Sequence, residues 1–226
     1  MAETSVAAQG QRVLTEVAAK ELLAAQGIPV VPTRLARSRA EAIRLAKELG
    51  LPVVLKVASP DIIHKSDVGG VRLNLASLTQ VDKAYGEIIA RARAHVPHAV
   101  IEGIAVQAMA KPGIEVAAGL TRDRTFGPVV MFGLGGISVE ILNDVAFRVV
   151  PLGPKDARAM LREIHGFPML QGYRGAPPVD LSALEDLLLK LSTLAEQRPE
   201  ISEIDLNPVF AYPNGALAVD ARILLA

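Results

Sequence analysis

The sequence predicts an α/β (α+β) chain of two lobes, with mixed and antiparallel sheets flanked by helices. Three observations lead there. Helix-period and strand-period apolar segments alternate in the N-terminal part, period-two segments follow one another further on, and Pro213-Asn214-Gly215 marks a closing hairpin. With 226 residues, half of them apolar, the chain is long enough to bury a core without covalent staples.

The elements follow in order. Leu14, Val17, Ala18 and Leu22 recur at helical spacing and stop at Gly27, with Pro29 just beyond and a strand expected at Val30-Val31. Ser38 and Glu41 form the signature of a capping box for a helix carrying Ala42, Leu45, Ala46 and Leu49. Val53 to Val57 is a buried-type strand interrupted by Lys56, and a short strand follows near Val71 to Asn74. Ser77 and Gln80 launch a helix with Val81, Ala84, Tyr85, Ile88 and Ile89 on one face. Ile104, Val106 and Ala108, then Ile114, Val116, Ala118 and Leu120, alternate on either side of Lys111-Pro112-Gly113 and read as two antiparallel strands. Strands at Pro128 to Phe132 and Val145 to Val150 flank Gly133-Leu134-Gly135-Gly136, Pro154 opens a helix, and Asp180 caps a last one. The hairpin pairs Ile201 to Tyr212 with Ala216 to Ile223. The change from helix-strand alternation to strand pairs places a first lobe over residues 11–103 and a second over 104–226.

Composition excludes several classes of function. Cysteine is absent, which removes disulfides, thiolate metal sites and a thiol nucleophile. Lysine plus arginine equals aspartate plus glutamate, aromatics are 4%, and there is no tryptophan, so nucleic acid is not an expected partner. No apolar run is long enough to span a bilayer and no secretory leader opens the chain, so the expectation is a cytoplasmic protein away from membranes. The positive mean hydropathy fits either a generous core or an apolar surface covered by another polypeptide.

The densest chemical signal is Lys56 followed by Ser59-Pro60-Asp61-Ile62-Ile63-His64-Lys65-Ser66-Asp67-Val68-Gly69-Gly70. An ammonium inside an apolar strand has to reach water or an anion, because leaving it buried and unpaired costs several kcal/mol, roughly the penalty per ion after relaxation. Phosphate is a natural partner: Lys65 adds charge, and Gly69 and Gly70 let backbone N–H groups come close to phosphate oxygens. The alternative is an edge-strand lysine beside an ordinary polar loop. His64 is a competent nucleophile toward phosphorus when neutral, with Lys65 beside it to stabilise the resulting charge. His95, His98 and His165 have no such company and read as surface residues.

A second signal is Glu203-Ile204-Asp205-Leu206-Asn207-Pro208 together with Asp220. Alternation puts Glu203, Asp205 and Asn207 on one strand face, and an even-numbered turn brings Asp220 to that face as well. Grouped carboxylates repel unless a cation neutralises them, and hard oxygen ligands beside phosphate suit Mg²⁺. A solvent-facing polar hairpin is the competing reading. Gln107-Ala108-Met109 and Glu115 are candidates for the wall of an adenosine pocket, although core packing accounts equally for Met109. The Gly133 to Gly136 segment lacks both the dinucleotide and the P-loop fingerprints and reads as a mobile active-site or docking loop.

Taken together, Val54-Leu55-Lys56, His64-Lys65-Ser66-Asp67-Val68-Gly69-Gly70-Val71, Gly113-Ile114-Glu115-Val116, Phe132 to Gly136 and Glu203 to Pro208 resemble the ATP-grasp superfamily. Within it the chain is similar to the nucleotide-binding β subunit of ADP-forming acetyl-CoA and acyl-CoA synthetases, from about Leu14 to the end. The resemblance implies a two-lobed ATP-grasp fold clamping ATP or ADP with Mg²⁺. It implies that Lys56 binds phosphates, Gln107 to Met109 border the adenine, and Glu115 faces the ribose or phosphate region. Asn207 and Asp220 would hold Mg²⁺, Asp205 would lie beside the reacting phosphoryl group, and His64 would carry a phosphohistidine.

The implied reaction is acyl-CoA + ADP + phosphate ⇌ carboxylic acid + ATP + CoA. The chain has no room for CoA-binding and ligase domains, so the resemblance implies a CoA-binding α subunit in an α2β2 hetero-oligomer, or a fused synthetase or acetyltransferase containing this module. A free-standing ATP-grasp carboxylate ligase and a non-catalytic nucleotide-sensing module are the other readings.

Overall fold

The structure, a computed structural model, describes residues 12–62, 64–136, 144–173 and 175–226. Its elements run β1 (Arg12–Val13), α1 (Glu16–Ala25), β2 (Thr33–Ala36), α2 (Arg39–Leu49), β3 (Val53–Ala58), β4 (Val71–Leu75), α3 (Leu78–His95), β5 (Gly103–Ala108) and β6 (Ile114–Asp123). They continue with β7 (Gly127–Leu134), β8 (Val145–Val149), α4 (Pro154–Glu163), α5 (Phe167–Leu170), α6 (Leu181–Gln197), β9 (Ile201–Tyr212), β10 (Gly215–Ala218) and β11 (Arg222–Leu225). Among the described residues no helix is long and apolar enough to cross a membrane.

The chain divides into two compact units. Among the described residues, one comprises Thr15–Glu21 and Val31–Lys111, the other residues 12–14, Leu22–Val30 and Pro112–Ala226. The first holds a four-stranded antiparallel sheet in the order β2-β5-β3-β4. Val53, Leu55 and Val57 of β3 and Ile104 and Val106 of β5 face a core completed by Ala42, Leu45 and Ala46 of α2 and Val81, Ala84, Ile88 and Ala92 of α3. Both helices start where the sequence says: Ser38 accepts from the Glu41 N–H at 3.2 Å, and Ser77 and Gln80 close a full capping box. All six residues of β3 are buried, so the sheet is covered on its other face too, and there the cover is the first turns of α1.

The second unit is built on a seven-stranded antiparallel sheet, β1-β11-β9-β6-β7-β8, with β10 also on β9. α6, whose Asp180 cap accepts from the Ala183 N–H at 3.0 Å, lies along β6, β7 and β10 and buries Leu184, Leu187, Leu188, Leu191 and Leu194.

Four expectations are corrected. Val30-Val31 does not start a strand: Val30 makes an isolated bridge to Ala218, and the ladder opens at Thr33, just past Pro32, which has no N–H to donate. β5 and β6 are not each other's partners. β5 pairs with β2 and β3, β6 with β7 and β9, because period two reports a strand's faces and is silent on its neighbours. The junction expected near Ile104 therefore falls inside a ladder, and the two units divide between Lys111 and Pro112. The returning strand of the hairpin is interrupted at Val219 to Ala221 and so forms two pieces, β10 and β11.

Candidate functional site

The site starts with α1. Its buried residues are Glu16, Val17, Ala19, Lys20 and Leu23; Val17 is buried as expected, while Ala18 and Leu22, expected on the same apolar face, are only half-buried. Glu16 and Lys20 sit one helical turn apart and so share a face. That face lies over the side of the sheet that carries Lys56, Thr33 and Gln107. The register places Gln107 opposite both Thr33 and Val54, and Val54 shares its strand face with Lys56 two residues on, so Thr33, Gln107 and Lys56 project from one side of the sheet.

Glu16 is the centre of this polar cluster. Its Oε1 accepts from Lys56 Nζ at 2.6 Å and from Lys20 Nζ at 2.8 Å, and its Oε2 lies 3.5 Å from Lys65 Nζ. Lys20 also donates to Gln107 Oε1 at 2.8 Å and to Thr33 Oγ1 at 3.1 Å. Burial pushes the Glu16 carboxyl up, but the ammonium groups of Lys56, Lys20 and Lys65 outweigh it and hold the carboxyl at about 2. The buried Lys56 thus meets an anion within its own chain. Sequence reasoning missed Glu16 and Lys20, since an i,i+4 Glu-Lys pair on a short helix ordinarily marks a solvated face. Gln107, expected to border adenine, has its side chain fully buried and committed to Lys20. Met109 lies just beyond β5 and is 40% exposed, so it is not a core residue; its N–H donates to Pro52 O at 3.1 Å.

The β3–β4 connection carries His64, which is exposed; Ile63 lies outside the described residues. Lys65 turns inward to Glu16, while Ser66 and Asp67 face solvent. Gly70 closes the loop: its N–H donates to Lys65 O at 2.7 Å and its O accepts from the Val57 N–H at 2.8 Å. A Cβ on Gly70 would lie 2.6 Å from Val57 Cγ1 and 2.8 Å from Lys65 O, so only glycine fits this approach without displacement. Gly69 has φ +63°, in the region that favours glycine.

In the other unit the hairpin keeps one register offset across its interruption. Gly215 faces Tyr212, Ala218 faces Val209, and Arg222 faces Asp205. The same offset carries Asp220 to the position facing Asn207, with the two-residue turn Pro213-Asn214 supplying the even number that this parity requires. Against β6, Val116 pairs with Val209 and Ala118 with Leu206, so Asn207 and Pro208 together oppose Ala117 in a bulge, and Asn207 is exposed. Burial raises the Asp205 carboxyl; Arg222 pulls it down, and Glu203 and Asp220 push it up again. Glu203 pairs with Arg222, and Asp205, Asn207 and Asp220, whose Oδ1 accepts from the Ala221 N–H at 2.9 Å, are the other oxygen donors on this stretch. Among the described residues no three His, Asp or Glu side chains gather into a metal-holding cluster. Two carboxylates, one of them disfavouring its own charge, and an amide are nevertheless a hard donor set of the kind Mg²⁺ takes while retaining waters.

Glu115 on β6 is exposed, and the glycine segment folds over it: the Gly135 N–H donates to Glu115 O at 2.8 Å, and a Cβ on Gly136 would lie 3.0 Å from Glu115 Oε2. Gly133 and Leu134, expected in a loop, complete β7. His165 is exposed, with Nδ1 3.1 Å from Asp144 Oδ1.

Comparison with known proteins agrees with these features. Residues 5–225 match the ATP-grasp domain family. The ADP-forming acetate–CoA ligase I subunit beta of Pyrococcus furiosus is 49% identical over 95% of this chain and 92% of its own. The dinucleotide-forming acetyl-coenzyme A synthetase 1 of Ca. Korarchaeum cryptofilum, solved with coenzyme A and Ca-AMPCP, superposes with a TM-score of 0.93 at 51% identity, covering 96% of this chain and 95% of that one. A second structure of that protein holds coenzyme A and Mg-AMPPCP with its phosphohistidine segment pointing towards the nucleotide binding site (TM-score 0.84, 47% identity, 95% and 93% covered). The chain belongs to the ATP-grasp family and, within it, groups with the β subunits of ADP-forming acetate–CoA ligases.

Proposed function

We propose that this chain is the nucleotide-binding β subunit of an ADP-forming acid–CoA ligase, working with a CoA-binding α subunit in a hetero-oligomer. The reaction is acyl-CoA + ADP + phosphate ⇌ carboxylic acid + ATP + CoA, and this subunit moves the phosphoryl group between histidine and nucleotide. The observation that carries the reading is His64, exposed on a glycine-closed loop beside Lys65, in a chain 47% identical to a protein solved with a phosphohistidine segment and Mg-AMPPCP.

In the proposed relay a ring nitrogen of neutral His64 attacks a phosphoryl group carried by the partner subunit, a P–N bond to His64 forms, and the bond from phosphorus to the partner's carrier group breaks and leaves its electron pair there. A terminal oxygen of the ADP β-phosphate then attacks phosphorus, the P–N bond breaks, and the imidazole is returned neutral with a new P–O bond in ATP. Lys56 and Lys65 offset phosphate charge, Met109 lies against the adenine, and Glu115 faces the ribose or the phosphates. Asn207 and Asp220 would hold Mg²⁺, which would shield the phosphates' negative charge when bound, with Asp205 beside the reacting group.

The test is His64→Ala, reconstituted with the CoA-binding partner. Acyl-CoA-dependent ATP formation should vanish while Mg-ATP binding by calorimetry persists. In the wild type, γ-labelled ATP should leave acid-labile phosphate on His64. Full turnover by the variant would end the relay reading.

A further inference from the structure

Among the buried titratable groups of the described residues, the relay above uses none of Glu16, Lys20 and Asp144, and of these Glu16 is the one that lies against Lys65 of the His64 loop. Its side chain is 1% exposed and it is fixed from two sides, by the first turn of α1 and by the pair of ammonium groups on Oε1. Its Oε2 is buried with no hydrogen bond, and Lys65 Nζ approaches it to 3.5 Å, close enough for an ion pair but short of a hydrogen bond.

Lys65 also occupies a particular place in its loop. Upstream, Ile62 is buried in the core, and Asp61 Oδ2 accepts from the Val100 N–H at 2.7 Å. Downstream, Gly70 is pinned against Val57. Between these fixed ends His64, Ser66 and Asp67 are exposed, and among the described residues the Lys65 side chain, 21% exposed, is the one that turns back to the protein through an ion pair. Hydrogen bonds from Asp67 N–H to His64 O (3.2 Å) and from Gly69 N–H to Ser66 O (3.0 Å) are the local turns that this tether holds in register.

We propose that Glu16 is a positioning residue that docks the His64 segment through Lys65, and that a phosphoryl group on His64 releases the segment by competing with Glu16 for the Lys65 ammonium. The inference rests on His64 as the phosphoryl carrier. A phosphoryl group on His64 places several anionic oxygens one residue from Lys65. An ammonium at 3.5 Å from a carboxylate it does not hydrogen-bond can leave it, whereas Lys56 and Lys20, bonded to Oε1, keep Glu16 where it is. Loading of the histidine is thereby coupled to freedom of the loop, and discharge restores the tether.

The experiment is amide hydrogen exchange over residues 64–70 in the full chain, before and after phosphorylation of histidine with phosphoramidate, which needs neither nucleotide nor partner. Lys65→Gln should speed exchange of this segment about fivefold, the scale of one partly exposed ion pair, and leave β3 and α1 unchanged. Lys65→Arg should restore protection. Phosphoramidate should speed exchange in the wild type to the Lys65→Gln rate, add nothing in Lys65→Gln, and do nothing in His64→Ala. Glu16→Gln should behave as Lys65→Gln does; if it fails to fold, the Lys65 pair of variants still decides. Equal protection in wild type and Lys65→Gln would overturn the tether. Loss of the relay alone appears separately, as full turnover by His64→Ala.

Discussion

Lys56 and Glu16, forty residues apart in sequence, meet at 2.6 Å on the second face of the four-stranded sheet, and each accounts for the other's burial. An ammonium and a carboxylate that are both removed from water depend on the partner far more than a surface pair does.

The two losses should therefore not add. Lys56→Met takes from Glu16 its shortest ion pair and Glu16→Gln takes the buried anion from the ammonium groups around it, each at a cost of up to about 3–5 kcal/mol, and the double variant should be less destabilised than the sum of the two. Urea melts of the four proteins at neutral pH check this, and strict additivity would contradict the pairing.

Glu16 also sets the acid limit of the fold. Its folded value, about 2, is below its unfolded one, so the folded state binds fewer protons through the interval between them. The stabilisation, on the order of 3 kcal/mol, should be complete above about pH 4.5 and drain away as the pH falls toward 2. Stability against pH should show this slope in the wild type and a shallower one in Glu16→Gln.

Asp205 runs the opposite way. Its folded carboxyl is raised, chiefly by burial, so its charged form opposes folding as the pH rises and welcomes a cation. Mg²⁺ affinity should climb with pH through the raised Asp205 value, and Asp205→Asn should flatten that climb and stabilise the metal-free protein at neutral pH. Isothermal titration with Mg-ATP at several pH values, together with thermal melts, checks both.

Gly70→Ala should destabilise by about 1–3 kcal/mol, because the new methyl meets Val57 and the Lys65 carbonyl at distances that force a shift. Chemical denaturation measures the loss; a neutral outcome would mean the loop yields easily.

Much of the fold was legible because local chemistry dictated it. Ser38, Ser77 and Asp180 announce helices through their caps, and Val53 to Ala58 is too apolar to lie anywhere but inside. Strand partnership was less so: β5 and β6 have the same alternation but enter different sheets, and only tertiary packing assigns them. At the candidate site, His64, Lys65 and Gly70 stood out by their concentration in one loop. Glu16 and Lys20 did not, because a charged pair on a helix acquires meaning only when the strand residue beneath it, Lys56, is known to face it.

The single offset that runs from Gly215–Tyr212 to Leu224–Glu203 makes the Pro213-Asn214 turn a ruler for the acidic donors. One residue added there would invert the parity of everything beyond it and carry Asp220 to the far side of the ribbon, while two would preserve parity. Length at this bend is thus a chemical variable, even though neither of its residues touches the donors they align.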